Sequence, residues 1–336
     1  MMVKYSHGQF STDPYSDADA DVRREYSWLQ ELRGTEHIVQ LAHLENSSPW
    51  APGISRGDDT YEAAVDRAML EEQARGGWVP KPRRCPTFAV EYLPNGSLGD
   101  FVERIRQARQ FVPNRLQWRI WLCLVRQCVA MAFPPNIPDE EYIPGTKRRE
   151  VIRPNKEYYE LTHNSAHLKN WVWGEVQPVA DMELTDFSRG KLENPDRYPQ
   201  LDNPSECGSR INLFNAAYVM REICCPRDEY TDLQLSGNPQ PYFYTKDGQV
   251  FSVETNAPGP LRYSGMMDLE LRDILVRCLA EKLQDVPSLE EVLEVTEWAV
   301  ANRRRNQNPE LSDRMGVYEE DGYIRWMIQE YVFDAR

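Results

Sequence analysis

The sequence predicts an α+β fold in two parts, a smaller N-terminal part that contains strands and a larger, mainly helical C-terminal part. The first observation is a strand-like apolar run at residues 87–93, which leads directly into Pro94-Asn95-Gly96-Ser97, a sequence typical of a tight turn. The second is that helical periodicity dominates the chain after this turn. We therefore expect the turn to be the hinge between two lobes.

The N-terminal part, residues 1–93, contains one clear amphipathic helix. Residues 19–33 place Val22, Tyr26 and Leu29 on one face at helical spacing, and Gly34 follows as a C-cap. The other predicted elements are a short strand at residues 37–41, an insertion at residues 46–80 with a helix at residues 60–75, and the hinge strand at residues 87–93.

The C-terminal part, residues 94–305, is predicted to be a helical lobe. Helical patterns cover residues 98–109, 116–133, 209–225 and 269–282, and a capping box at Ser288 opens a helix that ends in three arginines, 303–305. Residues 116–133 are apolar on nearly all sides, as in a buried helix. A charged, proline-rich insertion occupies residues 134–157. Residues 306–336 form an extension whose apolar stripe at 324–332 is expected to dock on this lobe.

Composition excludes several classes of protein. The chain has 336 residues, of which 41% are hydrophobic and 11% aromatic, too apolar for a disordered protein. Its 53 acidic and 39 basic residues give a net charge of −14, which repels nucleic acid and anionic membranes. Seven scattered cysteines without metal-site spacing indicate reduced thiols and a cytoplasmic or nuclear location. No segment has the length of a transmembrane helix.

Two motifs carry the chemistry. His163 and Asn170 lie seven residues apart after a strand-like run at 158–162, and Asp186-Phe187-Ser188 follows a second such run. This order resembles the protein-kinase superfamily, specifically a divergent protein-kinase-like group common in filamentous fungi. There a His-x-Asp-x-x-x-x-Asn loop and an Asp-Phe-Gly turn converge on the phosphates of ATP. The resemblance covers about residues 2–300 and implies a protein-kinase-like two-lobe fold with a truncated N-terminal β-lobe.

The residue two positions after His163 departs from the family's pattern. The resemblance gives this place to an aspartate that accepts the proton of the substrate hydroxyl, but here it is Ser165, which is neutral and too short for that role. The sequence therefore assigns no catalytic residue, and His163 is expected to be structural. Asn170 and Asp186 keep oxygen ligands for Mg²⁺, the alternative being that both only cap turns.

The resemblance also implies a nucleotide site. Lys4 and Glu25 fall where the family's strand lysine and helix glutamate form an ion pair. Val90 falls at the gatekeeper place, and Glu91 and Leu93 in the hinge that binds adenine through its backbone. Only three residues precede Lys4, so the glycine-rich loop is expected to be missing, either from the protein or from the gene model. Its loss would weaken ATP binding.

Other landmarks of the family are eroded in this sequence. Asn212 stands where a helix aspartate would brace the catalytic loop, and no Ala-Pro-Glu follows Asp186 before that helix. Val286 replaces the arginine that would pair with the missing glutamate. His163 and His167 lack the carboxylate of a zinc-binding HExxH motif and are not expected to bind metal.

Three functions follow from these residues. The first is a catalytically impaired pseudokinase, a binding or scaffolding module that holds ATP and Mg²⁺ weakly. The second is an active protein kinase or small-molecule phosphotransferase that moves the γ-phosphate of ATP to a hydroxyl. The third is an interaction protein that binds no nucleotide. A protein partner is expected in the first and third cases, and neither nucleic acid nor a membrane is expected as a partner.

Overall fold

The structure, a computed structural model, describes residues 2–5, 17–42, 87–138, 140–165, 167–174, 182–225, 238–303 and 316–335. These residues form a mixed α+β structure. The helices are α1 (Asp17–Glu31), α2 (Leu98–Gln107), α3 (Asn114–Ala132), α4 (Cys207–Cys224), α5 (Gly259–Arg262), α6 (Leu269–Cys278), α7 (Leu289–Asn302) and α8 (Asp321–Ile328). The strands are β1 (Met2–Tyr5), β2 (Thr87–Val90), β3 (Leu161–Thr162), β4 (Trp171–Trp173), β5 (Met182–Leu184), β6 (Lys191–Leu192), β7 (Gln240–Lys246) and β8 (Gln249–Thr255).

The strands pair as short antiparallel ribbons. β1 pairs with β2, with Lys4 opposite Phe88. β4 pairs with β5, with Trp171 opposite Leu184, and β3 pairs with β6. The predicted strand at residues 158–162 is thus reduced to the two residues of β3. These ribbons place the ends of β4 and β5 beside β1, where the candidate site lies.

Residues 37–42 are extended but do not form the predicted strand. Val39 N–H donates to the carbonyl of Leu184, whereas Ala42 N–H donates to the carbonyl of Ala89. The first half of the segment pairs with β5 and the second half with β2. Each pairing is too short for a continuous ladder of hydrogen bonds, and only isolated bridges form. It is the link that joins the N-terminal ribbon to the rest of the molecule.

Helix α1 ends as the sequence predicts and packs closely on the turn at residues 187–189. Gly34 has a φ of +79°, and a Cβ there would lie 2.7 Å from Ile137 Cδ1. At Gly190 a Cβ would lie 2.7 Å from the ring of Trp28, whose Nε1–H donates to the Gly190 carbonyl at 3.1 Å. The absence of a side chain at residue 190 therefore lets α1 approach the candidate site.

The core lies around α3, which is buried on nearly all sides as its sequence indicates. Trp118, Trp121 and Leu124 are fully enclosed, and α4 and α7 pack against the helix. Helix α2 begins at a complete capping box of Ser97 and Asp100, directly after the hinge turn. Helix α7 begins at Ser288, whose side chain accepts the Glu291 N–H. Within the described ranges, every helix falls short of the length and apolarity needed to cross a bilayer.

The C-terminal extension packs against helices α2 and α3, in agreement with the expectation that its apolar stripe docks. Ile324, Met327 and Val332 are buried, and Arg104 donates to the carbonyl of Tyr331 at 2.8 Å. Glu319 is also buried and accepts the Asn114 N–H at 2.7 Å, at the start of α3. The stripe is therefore an internal contact and not an exposed partner surface.

Helix α7 ends at Arg303 as predicted, with the Arg303 N–H donating to the Ala299 carbonyl at 2.8 Å, and its guanidinium pairs with Asp268 and Glu270. The hairpin of β7 and β8 was not predicted, although its turn, Asp247-Gly248, has positive φ at both residues and is the strongest local hairpin signal. The insertion at residues 46–80, its helix at 60–75, and arginines 304 and 305 lie outside the described part of the chain.

Candidate functional site

Lys4 and Glu25 form the ion pair that the sequence leads us to expect. Lys4 Nζ donates to Glu25 Oε1, and it also lies 3.4 Å from Thr185 Oγ1. The Glu25 side chain is 5% exposed, and that of Lys4 is 21% exposed. Burial raises the pKa of Glu25, and the charge of Lys4 opposes this rise. The contact fixes helix α1 to the first strand directly beside Asp186.

Asp186 is held in an unusual backbone conformation. Its φ of +64° lies in the left-handed region, which a short polar side chain tolerates better than most. The carboxylate accepts the Ser188 N–H at 3.4 Å. Burial alone would raise the pKa of Asp186, but hydrogen bonding to Ser188 and the charge of Lys4 hold it below its usual range. The carboxylate is therefore ionised and within the field of Lys4.

His163 is structural, as the sequence indicates. Its Nε2–H donates to the Thr185 carbonyl at 2.9 Å, and its ring meets that of Phe187 edge-on at 4.8 Å. Full burial lowers the pKa of His163 to about 4, so the imidazole is neutral at pH 7. It holds the Asp186 turn against the loop and is too enclosed to exchange protons with a substrate.

Asn212 braces the loop, although the sequence marks it as an eroded position. Its Oδ1 accepts the His163 N–H at 3.2 Å, and its Nδ2 donates to the Leu161 carbonyl at 2.8 Å. A neutral amide thus supports the loop from both sides. The brace at this position therefore carries no charge.

Asn170 and Ser165 are in direct contact. The Asn170 amide donates to the Ser165 carbonyl at 2.8 Å and to Ser165 Oγ at 3.1 Å. Asn170 Oδ1 makes no hydrogen bond to the described residues. The Thr185 N–H donates to the Asn170 carbonyl at 2.9 Å, which places Asn170 next to the segment that leads into Asp186. Both residues predicted to hold a metal are therefore neighbours, and they present the oxygen ligands that Mg²⁺ prefers.

Val90, Glu91 and Leu93 differ in burial and in whether their backbone N–H groups are free to bind a ligand. Val90 is fully buried in β2. The Glu91 N–H already donates to the Gln40 carbonyl at 2.9 Å, and its carboxylate accepts the Gln40 N–H at 2.6 Å. The backbone N–H of Leu93 makes no hydrogen bond within the described ranges. The Glu91 N–H is therefore occupied, whereas the Leu93 N–H is available to a ligand.

The insertion at residues 134–157 supplies contacts that sequence reasoning missed. Lys147 Nζ lies 3.0 Å from Glu91 Oε1 and 2.8 Å from Glu183 Oε1. Burial and the nearby Glu91 carboxylate raise the pKa of Glu183 well above its usual range, and Lys147 opposes this. The insertion thus reaches from the hinge to β5, directly behind the candidate site. No spacing signal marks Lys147, because its partners are far away in sequence.

A second missed contact joins the insertion to the end of α1. The His37 N–H donates to Glu150 Oε1 at 2.7 Å, and His37 Nδ1 donates to Glu150 Oε2 at 2.8 Å. Both side chains are almost completely buried, at 6% and 1% exposure. The Arg148 N–H also donates to the Gly34 carbonyl at 2.7 Å. We call residues 134–157 the strap, since their contacts join the segment after α1 to Glu91 and to β5.

The arrangement offers ligands for a cation and a positive charge for an anion. Asn170 and Asp186 supply oxygen ligands, and Lys4 supplies a fixed positive charge held by Glu25. Ser165, in contact with Asn170, supplies a hydroxyl. A scan against models of protein families found no match, and neither did a search of curated proteins. The likeness noted in the sequence therefore depends on these residues and their geometry.

Proposed function

We propose that the chain is a protein-kinase-like module with impaired chemistry, a pseudokinase that works by binding and holds ATP with Mg²⁺ weakly. The observation that supports this most is the buried Lys4–Glu25 ion pair beside the ionised Asp186. The two partners are 21 residues apart and come from a strand and a helix. In protein kinases a lysine and a glutamate so arranged orient the phosphates of ATP.

The proposed ligand contacts follow from the free groups of the site. Lys4 would bind a phosphate, Asn170 Oδ1 and the Asp186 carboxylate would hold Mg²⁺, and the Leu93 N–H would donate to the adenine. Val90 would lie beside the base. Glu91 contributes its position in the hinge and not its N–H, which Gln40 occupies. Of Glu91 and Leu93, only Leu93 offers its N–H to the base, and we expect weak binding.

Binding of ATP is tested by its effect on thermal unfolding. A ligand that binds only the native state raises the unfolding midpoint. At 10 mM ATP with Mg²⁺, we expect a rise of about 2–4 °C over buffer. The rise should be smaller with ATP and EDTA, because the triphosphate then loses the metal that bridges it to Asn170 and Asp186.

Asp186→Asn is the decisive variant, because asparagine also tolerates the left-handed conformation and still accepts the Ser188 N–H. We expect it to fold and to lose the metal-dependent rise. The matched control is Asp196→Asn, which changes an exposed aspartate outside the site. A rise that persists in Asp186→Asn would contradict the proposed metal site. The lack of any rise with ATP in the wild type would favour the alternative of an interaction protein without nucleotide.

Residual phosphotransfer is the second candidate, and the intact Asn212 brace favours it. Ser165→Asp tests whether the missing base is the main defect. We expect this variant to stay below about 0.01 s⁻¹, against about 1–100 s⁻¹ for typical kinases. The reason is that the Ala-Pro-Glu segment and its arginine partner are also missing, the latter replaced by Val286. Turnover at ordinary kinase rates in a γ-phosphate transfer assay would show that the fold retains the rest of its machinery.

A further inference from the structure

A cavity of about 130 Å³ lies beneath the strap, away from the candidate nucleotide site. Three arginines line it, Arg148, Arg149 and Arg153, together with the apolar side chains of Phe133 and Pro135. The space suffices for several water molecules. It can therefore hold a tetrahedral oxyanion with a short carbon substituent, but not a nucleotide. We call it the arginine cavity.

The charges around the arginine cavity are not balanced. Glu150 is the carboxylate in its wall, but both of its oxygens accept hydrogen bonds from His37. Arg149 shares the single Glu297 oxygen with Arg126. Arg148 and Arg153 have no carboxylate partner among the described residues. The chain as a whole has a net charge of −14, so this excess of positive charge is local.

A buried arginine behind the wall adds to this excess. The Arg126 side chain is 3% exposed, and its Nη1 has no hydrogen-bond partner in the described part of the chain. Its Nη2 donates to Glu297 at 2.6 Å, the same oxygen that Arg149 contacts at 3.1 Å. A buried guanidinium that is only partly paired is costly. An anion in the neighbouring cavity would offset part of that cost.

The same location does not suit a metal ion. Glu36, His37 and Glu150 place possible ligand atoms within 4.8 Å of one another. However, burial alone would lower the pKa of His37, whereas hydrogen bonds to Cys123 and Glu150 raise it to about 10. The imidazole is therefore protonated at pH 7 and cannot coordinate a cation. The adjacent arginines would repel one as well.

We propose that the arginine cavity binds a small phosphate monoester. Planar guanidinium groups pair with phosphate oxygens through two parallel N–H donors. The guanidinium of Arg148 makes no hydrogen bond to the described residues. The apolar walls at Phe133 and Pro135 would cover the carbon part of the ligand. This site needs neither Lys4 nor Asp186, so it stands independently of the proposed nucleotide site.

The test measures binding of inorganic phosphate and of O-phosphoserine by isothermal titration, with chloride used to keep the ionic strength constant. Serine is the control for the carbon part. The variants are Arg148→Gln and the double variant Arg148→Gln/Arg153→Gln, and Arg197→Gln is the matched control at an exposed arginine elsewhere. The unfolding midpoint of each variant in chloride shows that it is folded.

We expect both phosphates to bind the wild type and Arg197→Gln, and serine not to bind. Arg148→Gln should weaken binding by about tenfold or more, because a charge-assisted pair is lost. Equal binding by the wild type and the double variant, no binding by the wild type, or loss of binding in Arg197→Gln would each overturn the proposal.

Discussion

Glu150→Ala is expected to lower the free energy of unfolding by about 3–5 kcal/mol at pH 7, a large share of the stability of a typical domain. The carboxylate accepts hydrogen bonds from both the N–H and the Nδ1–H of His37, and both side chains are almost completely buried. A buried imidazolium without a counterion must release its proton, and a buried N–H stays unpaired. Urea denaturation measures the loss.

The pH dependence of this contact has a definite sign. The pKa of His37 rises to about 10 in the folded protein, above its usual value of 6.5, so the folded state keeps a proton that the unfolded state releases. The stabilisation from Glu150 is complete below pH 6.5 and is lost as the pH rises towards 10. The difference between the wild type and Glu150→Gln should therefore shrink between pH 6.5 and pH 9.

Comparison with Glu150→Gln isolates His37 from other groups that titrate in this range. Burial raises the pKa of several cysteines, including Cys225 to about 11, so the wild type and the variant both lose stability at alkaline pH. That shared loss cancels in the difference. Glu157→Ala, an exposed position in the same strap, is the control and should change stability little. If Glu150→Ala costs no more than Glu157→Ala, the strap does not hold α1.

The elements that the sequence predicts well are those with a strong local signal. Helix α3 is buried because its residues are apolar in every direction, and α2 begins at Ser97 because the capping box is local. Residues 37–42 have strand-like composition, but whether they form a strand depends on which other segments they pair with in the fold. The local sequence does not contain that information. The β7–β8 hairpin is different, since its Asp247-Gly248 turn was a readable signal.

The same distinction applies to the candidate site. The order of the motifs along the chain was enough to predict the ion pair of Lys4 and Glu25. It also indicated a structural role for His163. Glu150, Lys147 and Glu183 could not be predicted, because their partners come from remote segments and a charged insertion usually lies in solvent. The sequence marks Asn212 as an eroded position, but its amide accepts the His163 N–H and donates to the Leu161 carbonyl.

Lys4→Met is expected to lower the free energy of unfolding by about 2–3 kcal/mol, because it leaves Glu25 buried without its counterion. A double-mutant cycle with Glu25→Met separates the pair from the packing of each side chain. The double variant should lose about 1–3 kcal/mol less free energy of unfolding than the sum of the losses in the two single variants. Lys156→Met, at an exposed lysine in the strap, is the matched control and should be nearly neutral.

The cost of Lys4→Met should also depend on pH. Burial raises the pKa of Glu25 above its usual range, and removal of Lys4 takes away the charge that opposes this rise. The folded variant then holds a proton on Glu25 over a wider range of pH, and it loses stability as the pH rises through that range. Lys4→Met should therefore lower the free energy of unfolding less at pH 5 than at pH 7.5. An equal penalty at both pH values would mean that Glu25 carries no charge beside Lys4, and the ion pair would no longer support the proposed nucleotide site.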